Sequence, residues 1–253
     1  MRRLAVRRPL LFAALAIVAG DLLASLTGRL LKAFDLPVMT RMLIGEPIFA
    51  LYTAVLLTAL GWWREAGFRR PARLRDTLVY LPWLALPLLQ ASDFQASAAG
   101  PGLIVATAVF ALLVGFAEEG LARGVMLRAL LPGGAARAAL LSSALFGAAH
   151  LSSALAGRDL GSTAVQAVTA AFLGLGFAGC RLAGGTIWPA VALHGLVDFA
   201  DFGSRGFAPP PEHGSMTPSG AIVSLVLTGL YAAYGWWLAR RWERRRRAGG
   251  LAG

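Results

Sequence analysis

Long apolar runs alternate along the chain with short, arginine-bearing connectors. A membrane-spanning helix needs about 20 mostly apolar residues, each rising about 1.5 Å. Eight runs approach that length: 9–31, 43–63, 77–92, 101–131, 136–156, 162–182, 186–203 and 219–240. The third is short and holds Pro82 and Pro87, which predicts a kink. The fourth is long for one span, and the seventh is short. The expected fold is therefore all-α: a polytopic integral membrane helix bundle of about eight transmembrane helices, with residues 1–253 forming a single membrane domain. No long internal repeat and no extramembrane globular domain is visible. The longest connector, 204–218, contains Pro209-Pro210-Pro211 and reads as an irregular loop.

Composition sharpens this picture. The chain is 57% hydrophobic and 15% charged, against about 25% charged in soluble domains. Its mean hydropathy is +0.64. Those values exclude a disordered chain or a coiled coil and argue against a soluble enzyme. The single cysteine, Cys180, can form no intrachain disulfide.

The net charge of +11 would suggest a nucleic-acid partner in a soluble protein. Here the arginines sit at the edges of apolar runs: Arg2, Arg3, Arg7 and Arg8 before the first, and Arg240, Arg241 and Arg244 to Arg247 after the last. They read as topology signals and contacts to anionic lipid headgroups, and no nucleic-acid partner is expected. If the N-terminus is cytoplasmic, the inside connectors are 64–76, 132–135, 183–185 and the C-terminal tail. The first holds Arg64, Arg69, Arg70, Arg73 and Arg75, and Arg123, Arg128, Arg137 and Arg181 lie near the other inside ends. The outside connectors, 32–42, 93–100, 157–161 and 204–218, hold Lys32, Arg41, Arg158 and Arg205. This asymmetry predicts an integral cell-membrane protein with both termini cytoplasmic. The first run also resembles a secretory signal peptide. Its apolar character continues past Asp21 to Leu31, which favours a retained helix; cleavage would leave seven spans.

Ionisable groups inside membrane helices are costly and usually functional. Glu118 and Glu119 lie in the fourth run, His150 in the fifth, and His194 and Asp198 in the seventh. The remaining histidine, His213, falls in the outside loop beside Glu212 and reads as solvated. Glu119 and Arg123 are four apart and share a helix face, as are His194 and Asp198, and Phe146 and His150. Glu118 is turned about 100° from Glu119 and can point elsewhere. Measured from the predicted cytoplasmic ends, these groups lie at overlapping depths of roughly 10–21 Å.

Three readings of the six residues stay open. They could be a structural polar network that fixes helix register, a transport or proton pathway, or a hydrolytic site. Hydrolysis needs a carboxylate or imidazole base, a water and donors for a developing oxyanion, and the set can supply its share of each. Other signals are weaker. Gly174-Leu-Gly176-Phe-Ala-Gly179 matches G-x-G-x-x-G by letter, but it sits within an apolar run and reads as close helix packing. Gly120 and Gly124 form a small-xxx-small pair beside the glutamates. Asp21 and Glu46 read as structural or interfacial. H-E-x-x-H, G-x-S-x-G and S-x-x-K are absent.

Taken in order, three of these groupings resemble the CPBP family of intramembrane proteases, which includes type 2 CAAX prenyl endopeptidases and bacteriocin-processing or immunity proteins. Glu118-Glu119-Gly-Leu-Ala-Arg123 fits E-E-x-x-x-R, Phe146-Gly-Ala-Ala-His150 fits F-x-x-x-H, and His194-Gly-Leu-Val-Asp198 fits H-x-x-x-N/D. Gly185 to His194 also looks like the family's approach to its third motif. The likeness covers about 115–202, within the helices of 101–203. It implies an endopeptidase acting near the cytoplasmic side on a peptide or protein substrate. Glu118 and His150 would activate a water, His194 and Asp198 would stabilise the oxyanion or orient substrate, and Glu119 and Arg123 would hold the first motif in shape.

Asp198 stands where the prenyl endopeptidases commonly have Asn. An ionised Asp198 cannot donate to an oxyanion but could orient His194. The family is often labelled metalloprotease. Glu118, His150 and His194 could form the His₂Glu set of a divalent zinc (Zn2+) site with an open position for water. They could equally run a metal-free glutamate mechanism, which the scarcity of spare donors favours. A non-catalytic scaffold or immunity-type protein using the same polar pocket, or a small transporter, remains the alternative.

Overall fold

The computed structural model describes residues 1–209 and 216–248. His213, Glu212 and most of the proline stretch lie outside the described residues. Among those described the chain is helical and contains no strand. A short α1 (Arg2–Arg7) leads into α2 (Pro9–Lys32) and α3 (Val38–Leu60). A 3₁₀ segment (Leu74–Leu84) and α4 (Ala85–Gln90) follow, then α5 (Pro101–Glu119), a π-helical stretch (Gly120–Met126) and α6 (Leu127–Leu130). Next come α7 (Ala135–Ala149), a second 3₁₀ segment (His150–Ala156), α8 (Leu160–Gly184), α9 (Trp188–Ser204) and α10 (Pro218–Ala248).

Six segments are long and apolar enough to cross a membrane: Pro9–Lys32, Val38–Leu60, Pro101–Gly133, Ala135–Leu155, Leu160–Gly184 and Pro218–Ala248. The chain is an integral membrane helix bundle. Of the eight predicted runs, the two outside this set are the two short ones. In the third, Pro82 and Pro87 each remove an amide donor, and the run breaks into the 3₁₀ segment and α4. The seventh becomes α9, which has 17 residues. Leu15, Val18, Leu22 and Leu26 of α2 and Ile222, Val223 and Val226 of α10 are exposed, as lipid-facing side chains would be.

Backbone-level contacts set two of the close crossings. Gly115 of α5 lies against the backbone of Val191, and a Cβ on Gly195 of α9 would meet the Ala111 carbonyl at 2.8 Å. Gly179 of α8 and Gly235 of α10 abut each other's backbone in the same way. Gly174-Leu-Gly176-Phe-Ala-Gly179 is thus a packing face. The π-helical stretch sits at the hub, against α2, α3, α7 and α8, with all seven residues buried.

The connectors sort by side. Gly67 O accepts the Ile187 amide (2.9 Å), and Arg181 donates to the carbonyls of Ala66 and Glu65 (both 2.9 Å). Thr186 Oγ1 donates to Arg69 O at 2.7 Å and Arg69 Nε to Gly185 O at 2.9 Å. The connector after α3 is therefore fastened to the one after α8. At the opposite end, Gln95 donates from its amide and side chain to the carbonyls of Gly203 and Ser204, both at 3.0 Å. Met216 N donates to Ser162 Oγ at 2.8 Å.

Candidate active site

Glu118 and Glu119 close α5, where the helix widens into the π-helical stretch. Such widenings recur at functional sites. Glu119 and Arg123 are almost completely buried, and Arg123 Nη1 lies 3.0 Å from Glu119 Oε1. Two further contacts fix this guanidinium: Nε faces Gly174 O at 3.4 Å, and its carbon stands 4.3 Å over the Phe146 ring.

The same Glu119 oxygen receives His194. Nδ1 is 2.9 Å away, and because a carboxylate accepts, Nδ1–H is the donor. That bond turns Nε2 toward Glu118 Oε2 and Asp198 Oδ2, each 3.6 Å distant. One imidazole, with an arginine behind it, therefore links three carboxylates from α5 and α9. Its ring lies parallel to Phe177, with centroids 6.2 Å apart, and Phe177 stacks in turn on Trp83.

His150 reaches the site by a local change in winding. Its amide bonds to Gly147 O instead of continuing the α pattern, where α7 passes into the 3₁₀ segment. Nδ1–H then donates to the Phe146 carbonyl at 2.9 Å, which leaves the Nε2 lone pair free in the neutral ring. The Phe146 ring holds the imidazole edge-on at 4.8 Å.

Glu118, Glu119, Arg123, His150, His194 and Asp198 all line one cavity of about 190 Å³, roomy enough for several waters. Among the described residues, however, His150 forms no ion pair with the carboxylates. It borders the cavity apart from the His194 cluster. The zinc expectation can be tested on the donors themselves. Among the described residues no three His, Cys, Asp or Glu side chains are grouped to hold a metal ion. His150 also stands apart from the His194 cluster, so the residues as placed do not group as such a centre.

The cavity has walls that the motifs leave out. Gln166 and Thr169 of α8 face it, as do Trp83, Leu86 and Leu173. Gln166 and Thr169 are three apart within an apolar run, a spacing that could have marked them. Asp21 accepts from Ser152 Oγ at 2.8 Å, tying α2 to the segment that follows His150, as a structural residue should. Glu46 is different. Its Oε1 is buried without a hydrogen-bond partner among the described residues, and it lies within electrostatic reach of Glu118, Asp198 and His194.

Residues 100–200 match the family model for type II CAAX prenyl endopeptidase Rce1-like, a stretch that contains all three motifs. That match agrees with the family resemblance carried by those motifs. No curated protein and no solved structure matches the chain.

Proposed function

From this Rce1-like region we propose that the chain is an intramembrane endopeptidase, hydrolysing a peptide bond near the cytoplasmic face with a water activated by Glu118 and His150. The observation that supports this most directly is the convergence of the six motif residues, from three separate apolar runs, on one cavity with room for several waters.

Glu118 is the carboxylate with a free task, because Glu119 is engaged by both Arg123 and His194. In the proposed reaction Glu118 takes a proton from water as the oxygen attacks the scissile carbonyl carbon. The C–O bond forms, the carbonyl π pair moves onto oxygen, and His150 Nε2 steadies the water. When the C–N bond breaks, the proton held by Glu118 passes to the departing amine. His194, as imidazolium, donates from Nε2 toward the oxyanion while Nδ1–H stays on Glu119. Asp198, unable to donate when ionised, keeps that imidazolium charged and aimed. No step needs a metal, which accords with the poor fit of the donor set.

The positive-inside bias supports cytoplasmic termini. A peptide or protein is the substrate and membrane lipid the surrounding partner.

The test is Glu118→Gln in the full chain, with cleavage of a mixed peptide library, with and without prenylated C-termini, read by mass spectrometry. Removing the general base should lower turnover by about 10²–10⁴-fold with an unchanged thermal midpoint. Full cleavage by this variant would refute the mechanism. A wild-type chain that cleaves nothing, while its cellular effect survives Glu118→Gln, would establish a non-catalytic scaffold instead.

A further inference from the structure

A second cavity, of about 440 Å³, lies among the predicted inside connectors and is lined by Arg69, Arg123, Arg128, Arg181 and Arg246, with Glu65 as a carboxylate in its wall. Arg123 is matched by Glu119. The other four guanidiniums form no ion pair among the described residues. Arg181 is buried and donates to the neutral carbonyls of Ala66 and Glu65, and Arg69 donates to Gly185 O. Arg128 and Arg246 rest on indole faces, 5.3 Å from Trp62 and 4.8 Å from Trp242.

Four like charges around one cavity, one of them buried, are costly unless an anion joins them. Contacts to carbonyls and rings position these groups without neutralising them. Among the described residues several of their N–H donors have no hydrogen-bond partner, and a guanidinium fork suits phosphate oxygens in pairs. The volume far exceeds the roughly 30 Å³ share of one water, so the space admits a group larger than a simple halide. Basic pockets between membrane helices on the cytoplasmic side are sites for lipid phosphate, and tryptophans favour that depth.

We propose that this cavity binds a phosphate-bearing anion, supplied by the headgroup of an anionic glycerophospholipid of the cytoplasmic leaflet. The assignment is independent of the peptidase reading, although Arg123 is part of the wall of both cavities.

Arg128 and Arg246 are the residues to change. They are held by ring contacts, whereas Arg181 is fastened to backbone carbonyls and Arg123 belongs to the catalytic machinery. The full chain is placed in nanodiscs of phosphatidylcholine alone or with added phosphatidylglycerol, and unfolding is followed by tryptophan fluorescence. Phosphatidylglycerol should raise the thermal midpoint by about 4 °C or more. The double variant Arg128→Gln/Arg246→Gln should lose that rise, and Arg7→Gln/Arg8→Gln, with the same charge change at the N-terminus, should keep it. A comparable variant-sensitive rise from millimolar inorganic phosphate in phosphatidylcholine discs would assign the site to soluble phosphate. No rise from either probe, or a rise that survives Arg128→Gln/Arg246→Gln, would overturn the proposal. Native mass spectrometry of the wild type provides a readout that does not depend on the variants folding: phosphatidylglycerol retained on the chain supports the site, and its complete loss counts against it.

Discussion

Glu119 carries more contacts than any other carboxylate in the cluster, yet its place is behind the chemistry. It is fully buried, and its Oε1 meets both Arg123 and His194. Deleting one member of a buried charge group strands the others, at a cost of about 3–5 kcal/mol. Glu119→Gln should therefore lower the thermal midpoint as well as activity, unlike Glu118→Gln. In Glu119→Gln/Arg123→Gln both opposite charges are gone, so the double variant should be more stable than the sum of its single changes implies. Strict additivity in unfolding measurements would show that the pair is uncoupled. Glu46 reverses the sign. Its Oε1 is buried without a hydrogen-bond partner among the described residues, and the like charges of Glu118 and Asp198 lie within electrostatic reach. Glu46→Gln should leave the midpoint undiminished, and a clear drop would mean that Glu46 is a structural anchor.

Among the helices, what brings these residues together is backbone contact at glycines. Gly179 and Gly235 let α8 and α10 touch, and the backbone on either side cannot yield to a side chain. Gly179→Ala should therefore destabilise by about 1–3 kcal/mol, as overpacking does. Gly28 of α2 has open space around a would-be Cβ, so Gly28→Ala should be neutral or stabilising by about 1 kcal/mol, the usual helix-propensity gain. Equal effects at the two positions, measured by thermal unfolding in the same detergent, would remove the packing argument. This level also marks how far the sequence could be read. The i, i+4 pairs Glu119–Arg123 and His194–Asp198 were visible because helical periodicity alone places them. The widening after Glu119 and the change of winding at His150 were not, because packing against several other helices decides them. Trp83 enters the cavity from the broken third run, and no local pattern in the sequence signals that.

Across the whole molecule, the basic connectors and the fastened loops tell the same story. The residues after α3, the turn after α8 and the arginines of α6 and α10 gather at one end, and the segments around Gln95 and Ser204 meet at the other. Charge asymmetry made this division legible, since it depends on composition near helix ends and not on packing. Helix count was less legible, because a 17-residue α9 enclosed by neighbours and a full span look alike in hydropathy. The orientation itself can be measured with one cysteine at a time. Cys180 is the sole cysteine and is buried, with Sγ donating to Val79 O at 3.3 Å, so Cys180→Ser keeps that donor and gives a clean background. Ala72 and Ser97 are exposed, one in each predicted set of connectors. With a membrane-impermeant maleimide, Ser97→Cys should be labelled in intact cells and Ala72→Cys after permeabilisation. The reverse pattern would turn the bundle over, place the arginine-lined cavity on the outer face, and require the peptide substrate to arrive from outside the cell.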